Sequence, residues 1–98
     1  AIGTALYRLS QESITNARRH ARNARRVDVQ VSGDAEHVRL SVTDDGEAQP
    51  FDPASATGFG LLGMTERAAL LGGSLSAGPR RPRGWSVEAV FPRSAVAP

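Results

Sequence analysis

The chain has 98 residues, 40% hydrophobic and 22% charged, proportions that suit one globular domain with a single modest core. No apolar run reaches the roughly 18 to 20 residues that a membrane span needs, no signal-peptide pattern is present, and the chain opens on Ala1 inside a helical pattern, as an excised piece of a longer polypeptide would. Cysteine is absent, which excludes disulfides, thiolate metal sites and a cysteine nucleophile; two histidines make zinc unexpected; and a net charge of only +2, carried on arginine without lysine, is weak support for nucleic acid.

Residues 3 to about 23 carry apolar or small groups at helical spacing: Leu6, Leu9, Ser13, Ala17 and Ala21, with Ile14 beside them. At about 100° per residue, Glu12, Asn16 and Arg19 fall within roughly 60° of one another and His20 lies just beyond. This polar strip borders the apolar face. Next, Val27, Val29 and Val31 alternate with Asp28 and Gln30, which predicts a half-buried strand. Gly33 to His37 supply turn chemistry, and Val38, Leu40 and Val42 form the second strand of a hairpin. That strand ends in Asp44, Asp45 and Gly46. Residues 46–57, with two prolines and no periodicity, read as a loop.

GFGLLGMTERAALLGG then opens on glycines and develops a stripe of Leu61, Met64, Ala68 and Leu71, with Gly72 placed to end the helix as a C′ glycine. Two more strands, SLSAG and GWSVEAVFP, flank the basic turn PRRPRG. Trp85, Phe91, Tyr7 and the valines are expected in the core. The order helix, two strands, loop, helix, two strands predicts an α/β (α+β) two-layer sandwich, one domain over 1–98, with helices on one face of a mixed, mostly antiparallel sheet.

Three constellations could carry chemistry. The strip of Glu12, Asn16 and Arg19 offers oxygen ligands suited to Mg²⁺ and a guanidinium suited to phosphate, or else a solvated polar face. Gly58, Gly60 and Gly63 precede and open a helix, where free N–H groups favour an anion; a hinge or tight packing would use the same glycines. No Walker A loop exists. Asp44 and Asp45 end a strand, where a carboxylate can accept from an exocyclic amine, although an Asp-Gly turn is the commoner use.

Taken together, QESITNARRHA, VTDDG, GFGLLGM and GGSLSAG resemble the N, G1 and G2 boxes and following strand of the GHKL (Bergerat-fold) ATPases. The nearest likeness is to the ATP-binding catalytic domain of two-component sensor histidine kinases. GxGLxGMxER followed by ALLGG is similar to the subfamily paired with helix-turn-helix response regulators. The resemblance implies ATP and Mg²⁺ as cofactors. Asn16 would coordinate Mg²⁺, Glu12 would sit beside the metal, and Arg19 and His20 would contact the phosphates. Asp44 would accept the adenine amino hydrogen, and Gly46 would let the base approach. Gly58 and Gly60 would hinge the ATP lid (about residues 47–60), Leu61 would join the ATP-binding residues, and Gly63 would abut the phosphates. Ser86 stands where the family has a threonine near the adenine.

The resemblance also implies a cytoplasmic domain, of a parent for which membrane anchoring stays open, that donates phosphate to a histidine on a separate dimerisation domain for relay to a response regulator. Neither His20 nor His37 fits the acceptor role. The fragment is therefore expected to be monomeric, to bind nucleotide and to autophosphorylate poorly or not at all, whereas the parent is expected to be a homodimer. One departure stands out: the G1 box usually runs DxGxG, and its second glycine is here Ala48, followed by Gln49 and Pro50. A methyl group there is expected to narrow the nucleotide mouth and lower ATP affinity. Phe51 and Phe59 lie in or beside the lid. Three rivals stay open: a DNA-binding module using ARRHARNARR as a basic helix, an anti-sigma serine kinase of the same superfamily, and an ATP-sensing interaction domain.

Overall fold

A computed structural model describes residues 2–47 and 61–93; within the first segment the side chains of Ile2 and His20 are not described. The elements follow the expected order: α1 (Ile2–His20), β1 (Val27–Gly33), β2 (His37–Asp44), α2 (Leu61–Leu70), β3 (Ser74–Pro79) and β4 (Trp85–Pro92). The four strands form one sheet in the order β1-β2-β4-β3, and every ladder between the described strands is antiparallel. Both helices pack on the face that carries Leu40, Val42, Val87, Ala89 and Phe91. The opposite face is mostly polar, with Gln30, Ser32, Arg39, Ser41 and Glu88 around one shallow hollow.

α1 lies close to the sheet because its inward positions are small: Ala5, Ser13 and Ala17 are buried around a fully enclosed Leu9. From α2, Leu61, Met64 and Ala68 complete the core at the predicted spacing. The Ser13 hydroxyl donates to the Met64 sulfur at 3.8 Å and joins the two helices at their crossing. α2 ends as its glycines predict. Gly72 (φ +72°) donates to the Ala69 carbonyl, and Gly73 donates to the Ala68 carbonyl at 2.9 Å, the paired bonds of a Schellman cap.

Three residues expected in the core lie outside it. Tyr7 is 64% exposed and its hydroxyl accepts from Gln11 Nε2 at 2.9 Å, while Val29 and Val31 are 42% and 58% exposed. β1 is an edge strand and α1 lies mainly over β2, so the valines at the far end of β1 have alternation without a cover.

Candidate functional site

Contacts from three parts of the chain converge on the strand end that carries Asp44. Asp44 is 5% exposed, on the helix-facing side of β2 with Leu40 and Val42. Its Oδ1 accepts from the Gly46 N–H at 2.8 Å. Among the described residues this is the carboxylate's one hydrogen bond, which leaves Oδ2 as an acceptor for an incoming donor.

Asp45, the neighbour, has a different task. Its Oδ1 accepts from the backbone N–H of Arg25 (2.7 Å) and Arg26 (3.0 Å), and its own N–H donates to the Arg26 carbonyl. The Glu47 N–H donates to the Arg22 carbonyl at 2.7 Å, and the Asn23 amide donates to the Glu47 carboxylate. The strand end is thus stitched to the connection between α1 and β1. The two backbone donors, Arg25 first and then Arg26, hold the Asp45 carboxyl below the ordinary carboxylate range, with a smaller contribution from Arg83.

The stitching is tight around one glycine and requires glycine at another. A Cβ on Gly46 would stand 3.0 Å from the Ala21 Cβ and 3.0 Å from Asp44 Oδ1. Gly84, at φ +102°, would place a Cβ 2.1 Å from the Asp44 carbonyl oxygen, so the β3–β4 turn lies directly on the strand end. From that turn, Arg80 Nη1 donates to the Asp44 carbonyl (3.2 Å), and Arg83 Nε donates to the carbonyls of Asp45 (2.7 Å) and Gly46 (3.2 Å).

On α1, the Glu12 carboxylate accepts from Arg67 Nη1 of α2 at 2.8 Å, the two side chains being 41% and 31% exposed. Asn16 is half-buried one turn further on, and Arg19 is exposed. α2 starts at Leu61, so Gly63 lies in its first turn, and among the described residues a Cβ there would meet nothing within 4 Å. Its glycine therefore has no packing reason among those residues. No group of three or more His, Asp or Glu that could hold a metal occurs among the described residues. Mg²⁺ bound through one or two protein oxygens and a triphosphate needs no such cluster.

Ser86 lies beside the strand end but on the opposite face of the sheet from Asp44. It pairs with Thr43, whereas Asp44 pairs with Trp85, and directly opposed residues share a face. Trp85, one residue earlier, is the side chain on Asp44's side of the sheet. His20's side chain, Ala48, Gln49, Pro50, Phe51, Gly58, Phe59 and Gly60 lie outside the described residues. The sequence reading missed Arg67, Arg80, Arg83 and Gly84; the only signal for the last three was a glycine closing a basic turn. The segment ARRHARNARR leaves the helix after His20, and its later arginines lend backbone groups to Asp45 and Glu47. It is not one continuous recognition helix.

A cleft of about 540 Å³ beside the corner is lined by Asn23, Arg25, Asp45, Glu47 and Arg83, groups already bonded within the stitching, and Asp44 is not in its wall. The candidate site is therefore the helix-facing side of the strand end, between Asp44 and the polar strip of α1.

The family model for histidine kinase-, DNA gyrase B- and HSP90-like ATPases matches residues 1–95. The chain belongs to that family. Among curated relatives it is 38% identical over 91 residues to the sensor histidine kinase YxjM of Bacillus subtilis (strain 168), covering 93% of this chain and 21% of that protein. It is also 38% identical over 86 residues to the sensor histidine kinase LnrJ of the same organism, covering 88% of this chain and 20% of LnrJ. With the signal transduction histidine-protein kinase/phosphatase UhpB of Salmonella typhimurium it shares 43% identity over 72 residues, covering 72% and 14%. The chain thus spans about a fifth or less of the length of these relatives. No described helix is long and apolar enough to cross a membrane.

Proposed function

We propose that this domain binds Mg·ATP at the Asp44 corner and serves as the phosphoryl donor of a sensor histidine kinase. The acceptor would be a histidine on a separate dimerisation domain, for relay to a response regulator. The observation that carries this reading is the buried Asp44 carboxylate, with one oxygen fixed by Gly46 and the other left to accept. A purine with an exocyclic amine supplies the donor such an oxygen needs; a purine with a carbonyl there does not.

Phosphoryl transfer asks of the protein mainly positioning and charge neutralisation. Asn16 and Glu12, on one face of α1, are the residues that would hold Mg²⁺, whose contribution is to neutralise the triphosphate. Arg19 would meet phosphate oxygens at the end of α1, and the first turn of α2 at Gly63 offers backbone N–H groups to the same anion. Ser86 faces away from Asp44 and has no part in this reading. GLLGMTERAALLGG supports assignment to the subfamily that signals to helix-turn-helix regulators. On this reading the domain alone is a cytoplasmic monomer that binds nucleotide and does not autophosphorylate.

Trp85, the chain's single tryptophan, is the register partner of Asp44 and serves as an intrinsic reporter. Titrating its fluorescence with Mg·ATP and with Mg·GTP should give saturable binding that favours ATP, and Asp44→Asn should abolish the preference. No saturable binding at millimolar ATP, followed by fluorescence and independently by calorimetry, would sink the proposal.

A further inference from the structure

The β3–β4 turn is a basic segment that the nucleotide reading leaves unused, and its contacts are specific. Arg83 Nε donates to the Asp45 carbonyl at 2.7 Å. That carbonyl belongs to the same peptide unit whose N–H, on Gly46, donates to Asp44 Oδ1 at 2.8 Å. The peptide plane is therefore held from both edges, by Arg83 on its oxygen and by Asp44 on its nitrogen. A charged donor on the oxygen also polarises the unit and strengthens the bond that the N–H makes. Arg83 further reaches the Gly46 carbonyl (3.2 Å), and Arg80 reaches that of Asp44 (3.2 Å). All three consecutive carbonyls of the corner thus accept from arginines of one turn, which Gly84 allows to lie against the strand end.

We infer that Arg83, supported by Arg80, is a positioning residue for base recognition: it fixes the Asp45–Gly46 peptide so that the Asp44 carboxylate keeps one oxygen occupied and presents the other to the base. The inference rests on the nucleotide reading above. Arg83 touches no substrate; it acts through Asp44, which makes it a determinant of adenine-over-guanine preference as well as of affinity.

The test compares three variants of the chain by Mg·ATP and Mg·GTP titration, with amide hydrogen exchange at Gly46 as a second readout. Arg83→Ala should weaken Mg·ATP binding roughly tenfold, the size of one charged hydrogen bond. It should also narrow the ATP-over-GTP ratio and speed exchange of the Gly46 amide. Arg83→Lys, which keeps a donor but loses the planar fork, should recover part of each effect. Arg81→Ala removes the same charge from an exposed residue of the same turn that makes no hydrogen bond to the corner, and should leave all three readouts within about twofold of wild type.

Equal losses in Arg81→Ala and Arg83→Ala would mean that only the turn's charge matters and would overturn the inference. So would an Arg83→Ala protein with wild-type affinity, preference and Gly46 exchange. Should Arg83→Ala fail to fold, the comparison between Arg83→Lys and wild type decides by the same readouts. Failure of wild type itself to bind nucleotide is seen before any variant is made, and overturns the site reading rather than the role of Arg83 alone.

Discussion

Asp34 and Asp45 stand at opposite ends of the β1–β2 hairpin and make almost the same contacts. Each points Oδ1 at two successive backbone N–H groups, those of Glu36 and His37 for Asp34 and those of Arg25 and Arg26 for Asp45. Each also has its own carbonyl held by an arginine Nε, from Arg93 and Arg83 respectively. What differs is reach. The carboxylate of Asp34 closes a turn two and three residues away, and that of Asp45 ties residues 19 and 20 positions away. The same chemistry serves a hairpin turn at one end and assembles a site at the other, because only the second end has a buried carboxylate next in sequence and a helix terminus against it.

The sharpest way to break the comparison is at Gly84. With φ at +102° and a Cβ 2.1 Å from the Asp44 carbonyl, Gly84→Ala must move the turn off the strand end. The expected cost is about 3 kcal/mol, read by urea denaturation. Gly63→Ala is the contrasting case: in the first turn of a helix with open space around it, it should stabilise the fold by up to about 1 kcal/mol. It should nonetheless weaken nucleotide binding, where the proposed anion would meet the new methyl. Equal behaviour of the two variants would remove the distinction between a structural glycine and a functional one.

Next in size is the effect of removing charge at each end. Asp44→Asn should cost roughly ten- to hundredfold in Mg·ATP affinity, the scale of one charged hydrogen bond, whereas Asp34→Asn should leave affinity unchanged in the same titration. A comparable loss in Asp34→Asn would mean that the titration follows general stability rather than the site.

How much of this could be seen in the sequence follows the same division by reach. The elements, the hairpin turn around Asp34, the Gly72 cap and the core stripe of α2 are local patterns, and each was readable from spacing. The division of labour between Asp44 and Asp45 was readable only through the family likeness of the surrounding boxes. The contacts of Arg80, Arg83 and Gly84 with the corner span 36 to 38 residues or more in sequence, and nothing local encodes them. Ser86 turns on register instead. A strand's period is two, so residues 85 and 86 face opposite sides of the sheet, and only the observed pairing of Asp44 with Trp85 says which one shares the face of Asp44. Val29 and Val31 alternate correctly but lie on an edge strand that no described helix covers, and Tyr7 stands off the α1 stripe of Leu6, Leu9, Ser13 and Ala17.

Acid sensitivity separates the two aspartates more gently. Both carboxyls sit below the ordinary range because backbone N–H groups favour the charged form. A depressed folded pKa means that the stabilisation is complete above the unfolded value, near 3.9, and is lost as pH falls through the folded one. Stability should therefore decline below about pH 4, and Asp45→Asn and Asp34→Asn should each flatten that decline in denaturant melts taken between pH 5 and pH 2. The site end should add a second signature: Asp45→Ala, which removes the acceptor of the Arg25 and Arg26 N–H groups, frees the connection between α1 and β1 and should weaken nucleotide binding a few-fold at neutral pH, which Asp34→Ala should not.

The smallest expected effect on the fold concerns Glu12 and Arg67. A partly exposed ion pair contributes little, so Arg67→Ala should cost no more than about 0.5 kcal/mol of stability. Its effect on binding should be larger and of opposite sign, because the pair gives Glu12 a competing cation. With Arg67 gone, the carboxylate is free for the Mg²⁺ that the proposed site requires, and half-maximal nucleotide binding should occur at lower Mg²⁺. Glu12→Gln, whose amide oxygen can still accept from Arg67, should leave stability near wild type and raise the Mg²⁺ requirement. If Glu12 is only a strut between α1 and α2, neither variant will move the Mg²⁺ dependence, and the small stability change will be all that is measured.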